Sequence, residues 1–180
     1  TTGSLGDVGC LSFNGNKIIT SGSGGMILTD SESLAKKSSY LITQAKDDPI
    51  RYIHNDIGYN YRLSNVLAAL GLAQLEQLND FISKKVEIHK NYQTALANIS
   101  GLKLVETPSY SQNNHWLNVI RIDKNKYGSD RDSLMYKMRS HNIETRPVWH
   151  LNHLQKLYKN NFSFKIENAM KLQEASLCLP

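Results

Sequence analysis

Apolar and polar positions along this chain fall into blocks whose character changes near residue 100. Two short apolar runs come first, within residues 7–13 and 25–29. Runs of four to eight apolar residues bounded by turn residues read as buried strands, so the pattern predicts two strands joined through a glycine-rich turn. Asp30-Ser-Glu-Ser then offers an N-cap with acidic groups in the first helical turn. Leu34, Leu41 and Ile42 give the following helix a partial apolar face, and Pro49 is expected to end it. Residues 47–60 read as a polar and aromatic loop, long enough to be functional.

Ser64 can cap a helix running to about Asn79. Its Val66, Leu67, Ala69, Leu70, Leu72, Ala73, Leu75 and Leu78 leave little polar surface, and a helix apolar nearly all round is expected to be buried. Ala68, Ala69, Gly71 and Ala73 would let another helix approach closely, within the chain or across a subunit boundary. A further helix follows from Asp80 to near Asn98, with Lys84, Lys85 and Glu87 on a wet face, and Gly101 stops it. Shorter elements come next: strands at 102–105 and 116–122, a helix from Ser129 or Asp130 to about Ser140, and an extended stretch at 143–145. Pro147 forbids helix at its position, and short helices are expected at 153–158 and 165–175. This alternation predicts a small α/β domain, with a boundary between residues 80 and 100 that separates 1–90 from 91–180.

One polar residue stands out against the apolar pattern. In Leu11-Ser-Phe-Asn-Gly-Asn-Lys17-Ile-Ile-Thr-Ser-Gly-Ser-Gly-Gly25-Met-Ile-Leu-Thr29, Lys17 lies where a strand should leave a core, with Ser12 earlier on the same predicted strand. A lysine there is partly desolvated, which disfavours its charged form, and a neutral amine attacks a carbonyl to form a Schiff base. A solvated strand-end lysine is the competing reading. The segment does not match G-x-x-x-x-G-K-[ST], because Asn16 separates Gly15 from Lys17 and Ile18 follows. Its glycines fit a tight connection with positive backbone angles.

The stretch from Ser12 through Lys17 to Met26 resembles the cofactor-lysine segment of the DegT/DnrJ/EryC1/StrS sugar aminotransferases, pyridoxal-phosphate enzymes of aspartate-aminotransferase fold. Gly58-Tyr-Asn-Tyr-Arg62-Leu-Ser-Asn-Val-Leu-Ala-Ala-Leu-Gly-Leu-Ala-Gln-Leu-Glu76 and Glu144-Thr-Arg-Pro-Val-Trp-His-Leu-Asn-His153 agree with the family in order and approximate spacing. With Thr43-Gln-Ala-Lys-Asp-Asp-Pro49, they are similar to the branch acting on nucleotide-linked 4-keto-6-deoxy-N-acetylhexosamines, which includes enzymes making bacillosamine and legionaminic acid precursors. The resemblance implies an α/β chain that is a fragment of the fold type I aminotransferases: the C-terminal part of the large domain plus most of the small one.

The same resemblance implies roles. Lys17 would carry the pyridoxal phosphate and act as catalytic base, Ser12 would donate to the cofactor phosphate, and Asn60 would reach the phosphate held by a neighbouring subunit. That last role implies a homodimer with shared sites. Arg146 and His150, with Trp149 and His153, would line or support the pocket of the substrates, implied to be a UDP-linked keto sugar and glutamate as amino donor. Arg62, by its own fork geometry, could pair with the donor carboxylate or the nucleotide diphosphate, or equally form a structural ion pair. Family members are much longer, and their upstream half carries the acidic partner of the pyridine nitrogen, the residue stacked on the cofactor ring and a phosphate-binding helix N-terminus. None is found here, so the expectation is a fragment inactive by itself. Its rival is a non-catalytic oligomerisation or binding module of the same fold.

Composition narrows the remaining classes. A hydrophobic content of 40% over 180 residues can build a real core. The excess of 21 Lys and Arg over 16 Asp and Glu is spread along the chain and accompanies no nucleic-acid motif, so nucleic acid is not an expected partner. Cys10 and Cys178 lie nearly a chain length apart, with neither a metal nor a disulfide pattern. His150 and His153 share an i, i+3 spacing but have no nearby third and fourth zinc ligand. His54, His89, His115 and His141 suggest no arrangement. No apolar run is long enough to span a bilayer, and the cytoplasm is the expected compartment.

Overall fold

The computed structural model describes residues 2–180. The chain divides into two compact units between Phe81 and Ile82.

The first unit opens with strands β1 (Gly9–Ser12) and β2 (Gly25–Leu28), paired antiparallel from Gly9↔Leu28 to Ser12↔Gly25. Their predicted burial is corrected: Leu11, Met26, Ile27 and Leu28 are all exposed. A two-stranded ribbon has too little surface to cover its own apolar faces. Helix α1 (Glu32–Ile42) starts where Ser31 accepts the Leu34 amide at 3.4 Å. It ends at Ile42, not at Pro49. Gln44 and Ala45 take left-handed backbone angles, φ 73° and 48°, which turn the chain back on itself. Residues 59–61 then lie along the end of α1, through Tyr59 N–H to Leu41 O (2.7 Å), Gln44 N–H to Tyr59 O (3.0 Å) and Tyr61 N–H to Ile42 O (3.0 Å). Gly58 must be glycine here, because a Cβ would run into the backbone nitrogen of Ala45, one of the few fully buried residues.

The loop between α1 and this segment is pinned by two carboxylates. Asp47 Oδ2 accepts from the Asn55 amide at 2.8 Å and from the Tyr40 hydroxyl at 3.0 Å. Asp48 accepts from the Ile50 and Arg51 amides at 2.8 and 2.9 Å and pairs with the Arg51 guanidinium at 2.8 Å. The Asn55 amide is the main reason that the Asp47 carboxyl lies below its usual range, outweighing the opposite effect of burial.

Helix α2 (Asn65–Glu76) begins at its Ser64 cap as expected. Its expected burial is a second correction. No α2 residue is buried, and Val66 is 79% exposed, with Leu70, Leu72 and Leu75 also exposed. A helix that is apolar around its whole circumference needs cover on several sides. Within its unit, Gly71 sets its backbone close to Ser21 on one of them. Helix α3 (Leu78–Leu96) follows and carries the division between the units.

The second unit is built on a four-stranded antiparallel sheet in the order β3-β4-β6-β5, from β3 (Leu102–Leu104), β4 (Asn118–Ile122), β5 (Arg146–Pro147) and β6 (Ser176–Leu179). Alternation along β4 turns Asn118, Ile120 and Ile122 inward. Ile120, Ile122, Leu134, Leu177 and Leu179 form the core, covered by Tyr92 and Leu96 of α3 and by Met135 and Met138 of α5 (Arg131–Ser140). Asp130 caps α5, accepting the Ser133 amide at 2.8 Å.

Several elements here depart from expectation. Strand β6 follows directly on α6 (Glu167–Ala175) and is buried at every position, although nothing in Ser-Leu-Cys-Leu distinguishes it from a helix end. A one-turn helix α4 (Lys124–Tyr127) forms between the Asp123 cap and Gly128 at φ 80°. The helix expected at 153–158 is reduced to a 3₁₀ turn, Asn152–Leu154. Cys178 is buried in β6, which raises its thiol pKa, while Cys10 is exposed and both are free.

Leu177 is fully buried at the centre of this sheet. Leu177→Ala should therefore lower stability by about 2–5 kcal/mol, read from the urea midpoint by circular dichroism. A loss under about 1 kcal/mol would mean that the strand is not held as described. Asp47 yields a pH dependence. Its carboxyl is depressed in the folded chain, so its stabilisation is complete above the unfolded aspartate value and is lost as pH falls through the lower folded one. The Asn55 amide resonance should titrate with a midpoint below the ordinary aspartate range, and a midpoint within that range would disprove the bond.

Candidate active site

Beyond β1 the chain forms a closed loop over residues 13–24. Phe13 N–H bonds Gly24 O at 3.0 Å, extending the ribbon, and Asn14 forms a parallel bridge with Gly22. Phe13 O accepts from the Ser21 amide at 3.1 Å and from the Thr20 hydroxyl at 2.9 Å, while Thr20 Oγ1 accepts the Gly22 amide at 2.7 Å. The Ser21 hydroxyl donates to Ser23 O at 2.5 Å in a position with 0% exposure. At the apex, Lys17 N–H closes a turn onto Asn14 O at 3.0 Å, and the lysine is half-buried. Lys17 is thus carried by a hydrogen-bonded loop, not by the strand that ends in Ser12. Ser12 itself is exposed, and its Oγ accepts the Asn14 amide at 3.4 Å.

Gly24 joins this loop to the segment of the second motif. Its φ is 89°, which favours glycine, and its backbone packs against Leu63, whose Cδ1 would lie 2.6 Å from a Cβ there. Leu63 directly follows Arg62 and is close in sequence to Asn60, and both of those side chains are exposed. Asn60 forms an antiparallel bridge with Thr43. Among the described residues no carboxylate forms an ion pair with Arg62.

The remaining expected site residues belong to the second unit. Arg146 lies on β5, with Nε and Nη2 both on Glu144 Oε1, at 3.1 and 2.7 Å. The guanidinium holds the Glu144 carboxyl below its usual range, and the carboxylate raises Arg146 in turn. Trp149 is 65% exposed, and its ring centre lies 6.1 Å from that of Trp116. His150 is exposed, and His153 is half-buried, its Nε2 lacking a hydrogen-bond partner among the described residues. Among the described residues no three His, Cys, Asp or Glu side chains gather as a metal ion would require.

Three residues here carry roles that the sequence reading did not assign. Glu144 orients Arg146. The signal was available, since an i, i+2 spacing in an extended segment sets both on one face. Trp116 partners Trp149 across a long sequence separation, and Ser21 locks the lysine loop. Neither of those has a local signature.

The donor set in the first unit fits an aldehyde-bearing phosphate cofactor. It holds a half-buried amine, a group that condenses with aldehydes, and an exposed serine hydroxyl at the end of the preceding strand, a group that can donate to a phosphate oxygen. Comparisons with known proteins give the family and do so independently of these residues. The family model for the DegT/DnrJ/EryC1/StrS aminotransferases matches residues 1–180. EpsN of Bacillus subtilis (strain 168) is 34% identical over 183 residues, covering 99% of this chain and 46% of EpsN. A GDP-perosamine synthase of Escherichia coli O157:H7 is 37% identical over 161 residues, 89% of this chain and 43% of that protein. A crystal structure of DesI, solved with its TDP-sugar product, superposes with a TM-score of 0.87 at 27% identity, over 99% of this chain and 45% of that one. The chain therefore spans about half the length of the relatives it matches. Pyridoxal phosphate is the cofactor of this family's aminotransferases, and the chain belongs to the DegT/DnrJ/EryC1/StrS aminotransferase family.

Proposed function

We propose that this chain is the lysine-bearing part of a nucleotide-sugar aminotransferase that converts a UDP-linked 4-keto-6-deoxy-N-acetylhexosamine to its 4-amino form, with glutamate as donor. Residues 1–90 would then be the end of the large cofactor-binding domain and 91–180 the small domain. The observation that carries this reading is the half-buried Lys17, held at the apex of a loop that starts beside Ser12 and rests, through Gly24, on Leu63 next to Arg62.

Pyridoxal phosphate, when bound, supplies the electron sink for transamination. Lys17 Nζ anchors it and serves as the base that carries a proton away from the donor's α-carbon, a role that typically supplies about 10²–10⁴ in rate. Ser12 Oγ donates to the phosphate. Asn60, exposed on its bridge to Thr43, does so from a second copy of the chain, which makes the working unit a homodimer with shared sites. Arg62 offers a fork of donors to the glutamate carboxylate or the nucleotide diphosphate. Arg146, already oriented by Glu144, meets the sugar nucleotide together with His150. A second reading, a GDP-linked keto sugar, is favoured by the 37% identity to a GDP-perosamine synthase. Competition between UDP- and GDP-linked sugars for the purified enzyme separates the two.

Borohydride reduction after incubation with pyridoxal phosphate should label Lys17, as read by peptide mass spectrometry. The label should vanish in Lys17→Ala. In Ser12→Ala it should need roughly 10- to 100-fold more cofactor, since a hydrogen bond to a charged group is worth about 1.5–3 kcal/mol. The same measurement on a form extended by the family's upstream half tests whether truncation limits binding. Absence of selective labelling at Lys17 in both forms would leave the non-catalytic module as the reading.

A further inference from the structure

The second unit contains a histidine pair that the transaminase reading does not use. The rings of His89 on α3 and His115, just ahead of β4, stack with centres 3.9 Å apart and planes inclined by 26°. Both are half-buried. His89 Nδ1 lies 2.9 Å from Oδ1 of Asn118, a residue 1% exposed on β4, whose buried Nδ2 has no hydrogen-bond partner among the described residues. An amide oxygen only accepts, so His89 Nδ1 is the donor of this bond, and it fixes the ring against which His115 stacks.

His115 is also held in an uncommon backbone state. Its φ is 50°, left-handed for a residue with a Cβ. The turn is kept by two asparagines: the His115 amide donates to Asn113 Oδ1 at 2.9 Å and the Trp116 amide to Asn114 Oδ1 at 3.1 Å. The next residue, Trp116, lies beside Trp149 on the Arg146–His150 stretch. The position of the first indole is therefore tied to the integrity of the histidine stack.

We infer that the stack of His115 on His89 is a proton-operated latch: with His115 neutral, it seals residues 113–116 onto α3 and holds Trp116 beside Trp149, and with His115 protonated, it lets them go. The inference does not depend on the role of Lys17. Every charged group acting on His115 pushes in one direction. Burial is the largest effect, followed by repulsion from His89 and then from Lys85, both on α3, and together they hold the imidazole below its ordinary range. From β4, Asn118 offers only a neutral amide. Among the described residues no carboxylate acts on His115 to compensate a charge there. A histidine whose folded value is depressed stabilises the fold fully above its unfolded value, near pH 6.5, and less as pH falls through the folded one. The latch is thus closed at neutral pH and opens on acidification.

The chain has two tryptophans, and both belong to this contact. Their emission, followed on the full chain from about pH 8 to pH 5, should change with a midpoint below about 6.5. His115→Phe keeps a stacked ring that cannot titrate and should abolish the transition. Should that variant not fold, carbon-detected NMR titration of the imidazoles in the unaltered chain reads the same quantity, with His115 expected below about 6.5. A flat emission profile, an unchanged transition in His115→Phe, or a His115 midpoint at or above the ordinary histidine value would each overturn the latch.

Discussion

The buried hydroxyl of Ser21 is the constraint on which the first unit's site rests. Residues 13–24 leave the ribbon and have no regular ladder to satisfy their backbone groups, which must nevertheless be paired. Ser21 contributes its amide to Phe13 O and its hydroxyl to Ser23 O, and Gly71 of α2 lies near its side chain. With that corner closed, Lys17 is held at the apex by its own turn onto Asn14. A flexible loop of the same sequence would present the same amine, but with a large entropic cost on every binding event.

A comparable economy operates around Arg146. Its ion pair with Glu144 is exposed on both sides, and such pairs contribute little to stability. What the carboxylate does instead is fix the direction of a long side chain that would otherwise sample many rotamers. Lys17 is thus held through its backbone turn and Arg146 through its guanidinium.

The exposed apolar surface belongs to the same picture. Val66, Leu70, Leu72 and Leu75 on α2, with Leu11, Met26, Ile27 and Leu28 on the ribbon, are all exposed. The described residues of the first unit do not cover them. In the second unit the opposite holds, because β4 and β6 each have a neighbour on both sides and helices over the core face.

Local chemistry alone determined much of this protein. Ser31, Ser64 and Asp130 marked their helix starts because a cap is a short-range hydrogen bond between residues three apart. The family was legible too, from the contiguous stretches around Lys17, at Gly58–Glu76 and at Glu144–His153. Tertiary structure decided the rest. Strand β6 is a strand only because β4 and β5 lie on either side of it, and α2 and the ribbon are exposed because burial depends on what surface is present to cover them. The Ser21 lock, the Trp116–Trp149 contact and the His89–His115 stack join residues through space, and no spacing along the chain encodes such meetings.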